Sequence, residues 1–393
     1  MFKEPLAHKN TVGVALFIRC FRAAELLVMS LLIALILLEV GSYTLKSFVP
    51  SAVPARAIED YLKHPNWSEE TAAFFLERED FRAYRYESFV GWRGIKTGGR
   101  MLNVDDEGNR ITDNNTGSTP TTVFDFYGGS TMWGFGVSDA NTIPSRFARF
   151  SKTILARNFG QQAYVSRQEL NYLLTNVVRG RIGNVVVFYD GNNDAFWECQ
   201  SVNGPFGDAM TGPIRSVLTR IGQDGQIRNL AADLTIRNKI ALILPNTTAL
   251  IERLTGRHLG RDVYFKLYQN SSNVCRDPAI ANLVAENLVR NWETASLIAN
   301  QHKATFFAIL QSSPYTADIR QPYYDPSHDE IIKAVYPLIK AKAEGFSWFI
   351  DGTSWLNDRT DLSIDFCCHL NAKGNALIAE NIFRRTFSSG SKW

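Results

Sequence analysis

None of the five cysteines forms a CxxC pair or a CxxC…HxxxH spacing, which argues against a structural zinc site. Gly-x-Gly-x-x-Gly and Walker-type phosphate loops are absent, so no nucleotide-binding loop is expected. There is no internal repeat, heptad array or low-complexity tract, which excludes solenoids and coiled coils. Nor is there a strong charge imbalance: the formal net charge is +3 over 393 residues, with both signs spread along the chain. A nucleic-acid partner is therefore not expected. No residue set calls for a metal or an organic cofactor. What is present is ordinary for a buried core, with 45% hydrophobic and 21% charged residues.

One long apolar run stands near the N-terminus. Lys3, Lys9, Arg19 and Arg22 face only Glu4 before it, and Leu26–Leu38 carries no charge. The run extends to 23–43 if Glu25 and Glu39 reach back to the headgroups, which meets the ~20 residues a membrane span needs. A cleaved signal peptide is the rival reading, although Glu39 follows directly and Ala55-Arg-Ala57 lies far downstream. An uncleaved anchor makes residues 1–22 a cytoplasmic tail and places the rest outside the cytoplasm, which is the periplasm if the cell is a Gram-negative bacterium. Residues 44–120 read as a connecting region packed on the main domain. Its aromatic stretch Tyr84–Trp92 either packs this region down or lines a sugar-binding surface.

From about 121 to 388 strand and helix signals alternate. Thr121–Tyr127 reads as a strand, Thr142–Phe150 as a helix and Leu155–Phe159 as a strand. Gln168–Val178 reads as a helix, and Asn184–Asp190 is a continuous apolar run suited to a central parallel strand. Asp277-Pro278 opens a helix reaching about Asn300, Thr305–Leu310 is another strand, and Ala372–Phe387 is the last helix. Such repetition implies a parallel sheet covered on both faces. Residues 195–276 break the rhythm and read as a largely helical insertion over the strand ends, with helical pieces at Ile214–Ile221 and Thr248–Leu254. Cys199 and Cys275 bracket it and could form a disulfide in an oxidising compartment.

Three stretches then line up at element boundaries. Gly128-Gly129-Ser130 ends one strand, Gly191-Asn-Asn193-Asp194 ends another, and Asp365-Phe-Cys-Cys-His369-Leu-Asn-Ala-Lys-Gly374-Asn375 precedes the last helix. Acyl transfer by a serine needs a base in hydrogen-bond reach, a group that holds the base, and donors for the oxyanion. In this order and setting the chain resembles the SGNH (GDSL lipase/esterase) hydrolases, over 121–388 apart from the insertion. That resemblance implies a flavodoxin-like three-layer α/β/α fold. It also implies Ser130 as nucleophile, His369 as base, and Asn193 as an oxyanion donor, with Gly129, Gly191 and Asp194 supporting the site. Two positions depart from the family pattern. The second-block glycine slot in Asn158-Phe-Gly160-Gln-Gln-Ala163 holds Ala163, whose N–H serves if its φ is negative; Gly160 is the alternative donor. The carboxylate expected three residues before His369 is replaced by Phe366, so Asp365, four before it, takes the orienting role. Met132 at the elbow position disfavours a lipase-type Gly-x-Ser-x-Gly turn.

Each stretch also has a plainer reading. Ser130 could merely start a helix, Asn193-Asp194 could form a turn, and His369 could be structural. Cys367 and Cys368 read as small buried residues. Trp133 and Trp197 either border a cleft or pack beneath the insertion. The residues together imply a membrane-anchored serine esterase acting on an acyl ester. One alternative is an O-acyltransferase or deacetylase working on an acylated envelope polysaccharide, and another is a non-catalytic SGNH-like scaffold or carbohydrate-binding protein.

Overall fold

The computed structural model describes residues 7–48, 62–80, 84–114, 121–215, 218, 243–255, 271–318 and 320–387. In chain order the helices and strands begin with α1 (Ala7–Phe48), α2 (Glu69–Asp80), β1 (Tyr84–Glu87), β2 (Gly91–Gly94), β3 (Thr122–Gly128) and α3 (Ser130–Trp133). They continue with α4 (Ile143–Ala148), β4 (Ile154–Asn158), α5 (Ser166–Val178), β5 (Val185–Asp190), α6 (Asn192–Glu198) and α7 (Pro245–Thr255). The last are α8 (Pro278–Gln301), β6 (Thr305–Leu310), α9 (Pro326–Ala343), β7 (Phe349–Asp351) and α10 (Ala372–Phe387). These elements fall into two compact units, one holding α1 and α7 and the other holding everything else.

In the smaller unit, the stretch Arg19–Leu45 of α1 is long and apolar enough to cross a membrane, a test that a signal sequence also passes. Glu39, expected to reach back to the headgroups, is engaged by another helix of the same unit. Its carboxylate accepts from the Thr247 backbone N–H at 3.0 Å and the Thr247 hydroxyl at 2.8 Å, so it caps the start of α7. Part of the expected insertion, α7, thus belongs with the N-terminal helix. Most of the expected helix Ile214–Ile221 lies outside the described residues.

The larger unit is built on a five-stranded parallel sheet in the order β4-β3-β5-β6-β7. Every residue of β5 is buried, because helices cover both faces of the sheet. Val186 and Phe188 face one core with Leu288 and Trp292 of α8 and Val335 of α9. Val185, Val187 and Tyr189 face the other with Phe147 of α4 and Ile378 and Ile382 of α10. The result is a three-layer α/β/α architecture. From β3 the chain first goes to β4 on one side and later to β5 on the other. The crevice between β3 and β5, at their carboxyl ends, is where such a sheet binds ligands.

A disulfide joins Cys199 to Cys275 with a Cα–Cα distance of 5.2 Å. Beneath the carboxyl end of β5 lie four buried acids, Glu169, Asp190, Asp194 and Glu198. Asp194 accepts from the Ser166 N–H (2.9 Å) and hydroxyl (2.6 Å), Asp190 from Trp292 Nε1 (2.8 Å), and Glu198 from Asn287 Nδ2 (2.9 Å). Burial, reinforced by the charge of Asp194, raises both Asp190 and Glu198 to about 7. Burial and the neighbouring Asp190 push Glu169 well above its ordinary value. Unfolded carboxyls ionise near ~4. Between that pH and about 7 the folded chain keeps protons that the unfolded chain has lost, so stability falls as pH rises. Thermal unfolding in detergent should therefore show a midpoint that drops from pH 5 to pH 8, with a smaller drop in Glu169→Gln. A midpoint that is flat in the wild type, or equally steep in the variant, contradicts this reading.

Candidate active site

β3 ends in Gly128-Gly129, and Ser130 is the first residue of α3. A Cβ on Gly129 would stand 2.3 Å from Asn193 Nδ2, so only glycine lets that amide lie beside the serine. β5 ends at Gly191, whose φ of +123° turns the chain into α6 and aims Asn193 back toward β3. Ser130, Ala163, Asn193 and His369 line one cavity of about 360 Å³, walled by Phe135, Phe196, Trp197 and Phe366.

Across this cavity Ser130 Oγ lies 2.6 Å from His369 Nε2, although 239 residues separate them in sequence. The other imidazole nitrogen, Nδ1, is hydrogen-bonded to Asp365 Oδ2. An Nδ1–H donating to the carboxylate leaves Nε2 free to accept the serine proton. The second carboxylate oxygen of Asp365 accepts from the backbone N–H groups of Cys367 (3.0 Å), Cys368 (3.3 Å) and His369 (3.4 Å). The loop is wrapped around this oxygen, which explains how an acid four residues before the histidine, rather than three, reaches the ring. Phe366, at the usual acid position, is half exposed on the cavity wall.

Burial, the largest single influence, works to lower the pKa of His369; the charge and hydrogen bond of Asp365 and the charge of Cys368 together outweigh it and raise the pKa above the ordinary 6.5. Burial likewise works to raise Asp365, but the His369 charge and the hydrogen bonds it receives hold it below its ordinary value. The two shifts agree in stabilising an imidazolium beside a carboxylate.

Neither the Ser130 nor the Ala163 backbone N–H finds an acceptor among the described residues, and both residues line the cavity. Asn193 Nδ2 uses one hydrogen on the Tyr164 carbonyl at 2.8 Å, which leaves a second. Ala163 does not have the negative φ expected of it. Its φ is +61°, the left-handed conformation in which a glycine would be at ease. Gly160 is not available as a donor, because its N–H is taken by Asn158 Oδ1 at 3.0 Å. What Gly160 provides is close packing, since a Cβ there would stand 2.6 Å from the Trp133 nitrogen.

Several supporting groups lay beyond the sequence reading. Thr131 Oγ1 donates to the Cys368 carbonyl at 3.2 Å and accepts from Gln311 Nε2 at 2.8 Å, tying α3 to the loop that carries His369. Phe135 packs on the His369 ring with centroids 4.2 Å apart. The loop carrying Phe135 is bolted down by buried Arg110, which donates to the carbonyls of Gly134 (2.6 Å) and Val137 (2.7 Å) and pairs with Asp139 (2.7 Å). His328 sits between Phe196 and Tyr315 with Nε2 3.0 Å from Asn192 Oδ1, and burial pushes its pKa down to about 4, so it is neutral at ordinary pH. Asn192 Nδ2 donates to the free thiol of Cys367 at 3.2 Å, and the Cys367 and Cys368 sulfurs lie 2.7 Å apart. Nothing in the residue pattern pairs these positions; Phe135 and Thr131 lay beside a motif, but their partners come from distant loops. Trp133 packs away from the cavity with Phe74, while Trp197 borders it.

A left-handed alanine costs roughly 1–2 kcal/mol. Ala163→Gly is therefore expected to stabilise the folded chain by about 1 kcal/mol, read as a higher chemical-denaturation midpoint. A lower midpoint would mean that residue 163 does not occupy the left-handed region.

No family model matches the chain. No curated protein matches it either. Among solved structures it is similar to a member of the lipolytic protein G-D-S-L family from Veillonella parvula DSM 2008 (13% identity, TM-score 0.35, covering 69% of this chain and 99% of that one). It is similar too to a carbohydrate acetylesterase from Sinorhizobium meliloti (13%, TM-score 0.35, 68% and 99%). A catalytic mutant of an acetylxylan esterase from Geobacillus stearothermophilus is a third such structure (12%, TM-score 0.34, 70% and 97%).

Proposed function

We propose that this chain is a serine esterase of the SGNH type. The observation that carries the reading is the chain of contacts from Ser130 Oγ to His369 Nε2 to Asp365 at the mouth of the β3–β5 crevice. His369 takes the Ser130 proton as Oγ attacks the ester carbonyl, and Asp365 stabilises the imidazolium that forms. The carbonyl oxygen, now negative, is held by the N–H groups of Ser130 and Ala163 and by Asn193 Nδ2; one such donor is worth ~3 kcal/mol of barrier. His369 then protonates the leaving alcohol, and water activated by the same imidazole releases the acyl group. Each step uses only groups that line the cavity or touch one that does.

We place the catalytic unit outside the cytoplasm, anchored by α1. Support comes from the basic residues before the apolar run and from the Cys199–Cys275 disulfide, a bond that persists in oxidising compartments. Transfer of the acyl group to or from a sugar hydroxyl is the second reading. It is favoured by a further cavity that shares Gln162 and Ala163 with the first. The displaced acid and the absent second-block glycine are the two features that would favour a non-catalytic scaffold. Both departures are accommodated, because Asp365 contacts His369 and Ala163 adopts the glycine-like conformation.

The base works only when His369 is neutral, so kcat/KM for a short-chain aryl ester should rise with pH through a midpoint above 6.5. Asp365→Asn should move that midpoint down and lower kcat by roughly 10³–10⁴-fold, and Ser130→Ala should reduce hydrolysis to background. A Ser130→Ala protein as active as the wild type, or an unchanged pH profile in Asp365→Asn, rules the mechanism out.

A further inference from the structure

Two thiols lie in the loop between Asp365 and His369, the acid and the base of the relay. The sulfurs of Cys367 and Cys368 are 2.7 Å apart. Cys367 lines the catalytic cavity, whereas Cys368 is buried behind it. Only Cys368 therefore fits the expectation of a small buried residue. The pair is also oriented. Asn192 Oδ1 faces His328, which turns Asn192 Nδ2 toward the Cys367 sulfur at 3.2 Å. The Cys367 S–H in turn points at Cys368. Burial works to raise the Cys368 thiol, but this hydrogen bond and the charge of His369 hold it below its ordinary value. The same hydrogen bond, with burial, pushes Cys367 well above its own. A thiol on the cavity wall with a second, more readily ionised sulfur against it is the arrangement of an attacking and a resolving cysteine.

The same short stretch carries the contacts that hold the base. Asp365 Oδ1 accepts the N–H groups of Cys367 and Cys368 at 3.0 and 3.3 Å, and the Cys368 carbonyl accepts from Thr131 at 3.2 Å. Neighbouring Cα atoms stand only ~3.8 Å apart across a trans peptide, whereas a disulfide usually spans roughly 4.4–6.8 Å. A bond between these two sulfurs therefore closes only if the peptide group joining them turns. That group supplies the Cys368 N–H, one of the donors around Asp365. Turning it loosens the carboxylate and, through it, the imidazole. A displacement of ~1 Å in a catalytic group can cost about 10²-fold in rate.

We propose that Cys367 and Cys368 are a redox-modification site, which a small disulfide oxidant closes into a vicinal disulfide that switches the site off and a thiol reopens. Cys367, its proton passed to Cys368, attacks one sulfur of the oxidant, breaks its S–S bond and releases one thiolate. That thiolate takes the proton from Cys368, which attacks the Cys367 sulfur and expels the second thiolate. Two S–H groups of the protein are oxidised to one S–S bond, and the oxidant is reduced to two thiols that carry away both protons. The Cys199–Cys275 bridge of the same unit forms by the same chemistry, so the chain meets an oxidant of this class. The effect on turnover rests on the esterase reading; formation of the bond does not.

The full-length protein in detergent, with Cys20→Ser to remove the one other free thiol, is equilibrated across buffers of reduced and oxidised glutathione. Toward the oxidised end the intact mass should fall by two hydrogens, with the new link mapped to Cys367 and Cys368. In step with it, kcat/KM on a short-chain aryl ester should fall by about 10²-fold and return when reduced glutathione is restored. Adding Cys368→Ser should trap one glutathione on Cys367. Adding Cys367→Ser should make turnover, whatever its level, constant across the buffers. Reversible closure of the bond with no turnover in any buffer would support the modification site and defeat the esterase reading. Normal turnover with no closure in the most oxidising buffer, or closure that leaves turnover unchanged, would overturn the switch and leave the esterase reading intact.

Discussion

A hydroxyl and an imidazole meet at 2.6 Å over the rim of a parallel sheet, and most of the larger unit can be understood as what holds them there. Ser130 comes from the end of β3, near the start of the α/β layers, and His369 from the loop just before the last helix. The contact depends on backbones approaching more closely than side chains permit. Gly129 makes room for Asn193, and Gly160 lets the loop after β4 press against α3. A methyl group on Gly129 would displace the Asn193 amide, and one on Gly160 would push the loop away from α3.

Around that contact the protein spends its polar groups on rigidity. One oxygen of Asp365 organises the loop and the other holds the imidazole, so the same residue sets both position and charge. Thr131 and Gln311 tie the helix that starts at Ser130 to the loop that carries His369. Residues upstream of β3 contribute too. Glu77 of α2 accepts from the Met101 (2.9 Å) and Leu102 (2.9 Å) N–H groups, and Arg110 fixes the loop whose Phe135 covers His369. The connecting region is thus part of the site's support rather than a tether. Its aromatic stretch divides: Trp92 packs inward, while Tyr86 and Phe89 stay exposed. In the same spirit Ala163 holds a strained backbone conformation on the wall of the cavity, and strain tends to be found at such sites.

Much of the sheet could be read directly from the chain, for physical reasons. β5 and β6 are unbroken apolar runs because both faces are covered, and Asp277-Pro278 is a cap followed by a residue suited to the first helical turn. α9 carries the same opening signal in Asp325-Pro326, but Pro337 inside it blurs the helical period. β7 has three residues and α3 four, too few for any periodicity. At the site, the residues at 130, 193 and 369 stood out because each sits at an element boundary beside glycine or asparagine. Ala163 was found, but its backbone angle was not, since an alanine carries no sign that it will be forced left-handed. His328, Phe135 and Gln311 were invisible as site residues because their relevance comes only from packing between segments far apart in sequence.

The most direct test of the central claim is covalent labelling of the full-length protein by a fluorophosphonate, followed by intact-mass measurement and peptide mapping. Such a reagent captures a serine only when a base activates its oxygen and donors stabilise the phosphoryl oxygen. The account predicts one adduct per chain, on Ser130, formed faster as pH rises through the His369 titration and absent from His369→Ala. Folded protein that stays unmodified, or an adduct on any other serine, would contradict it.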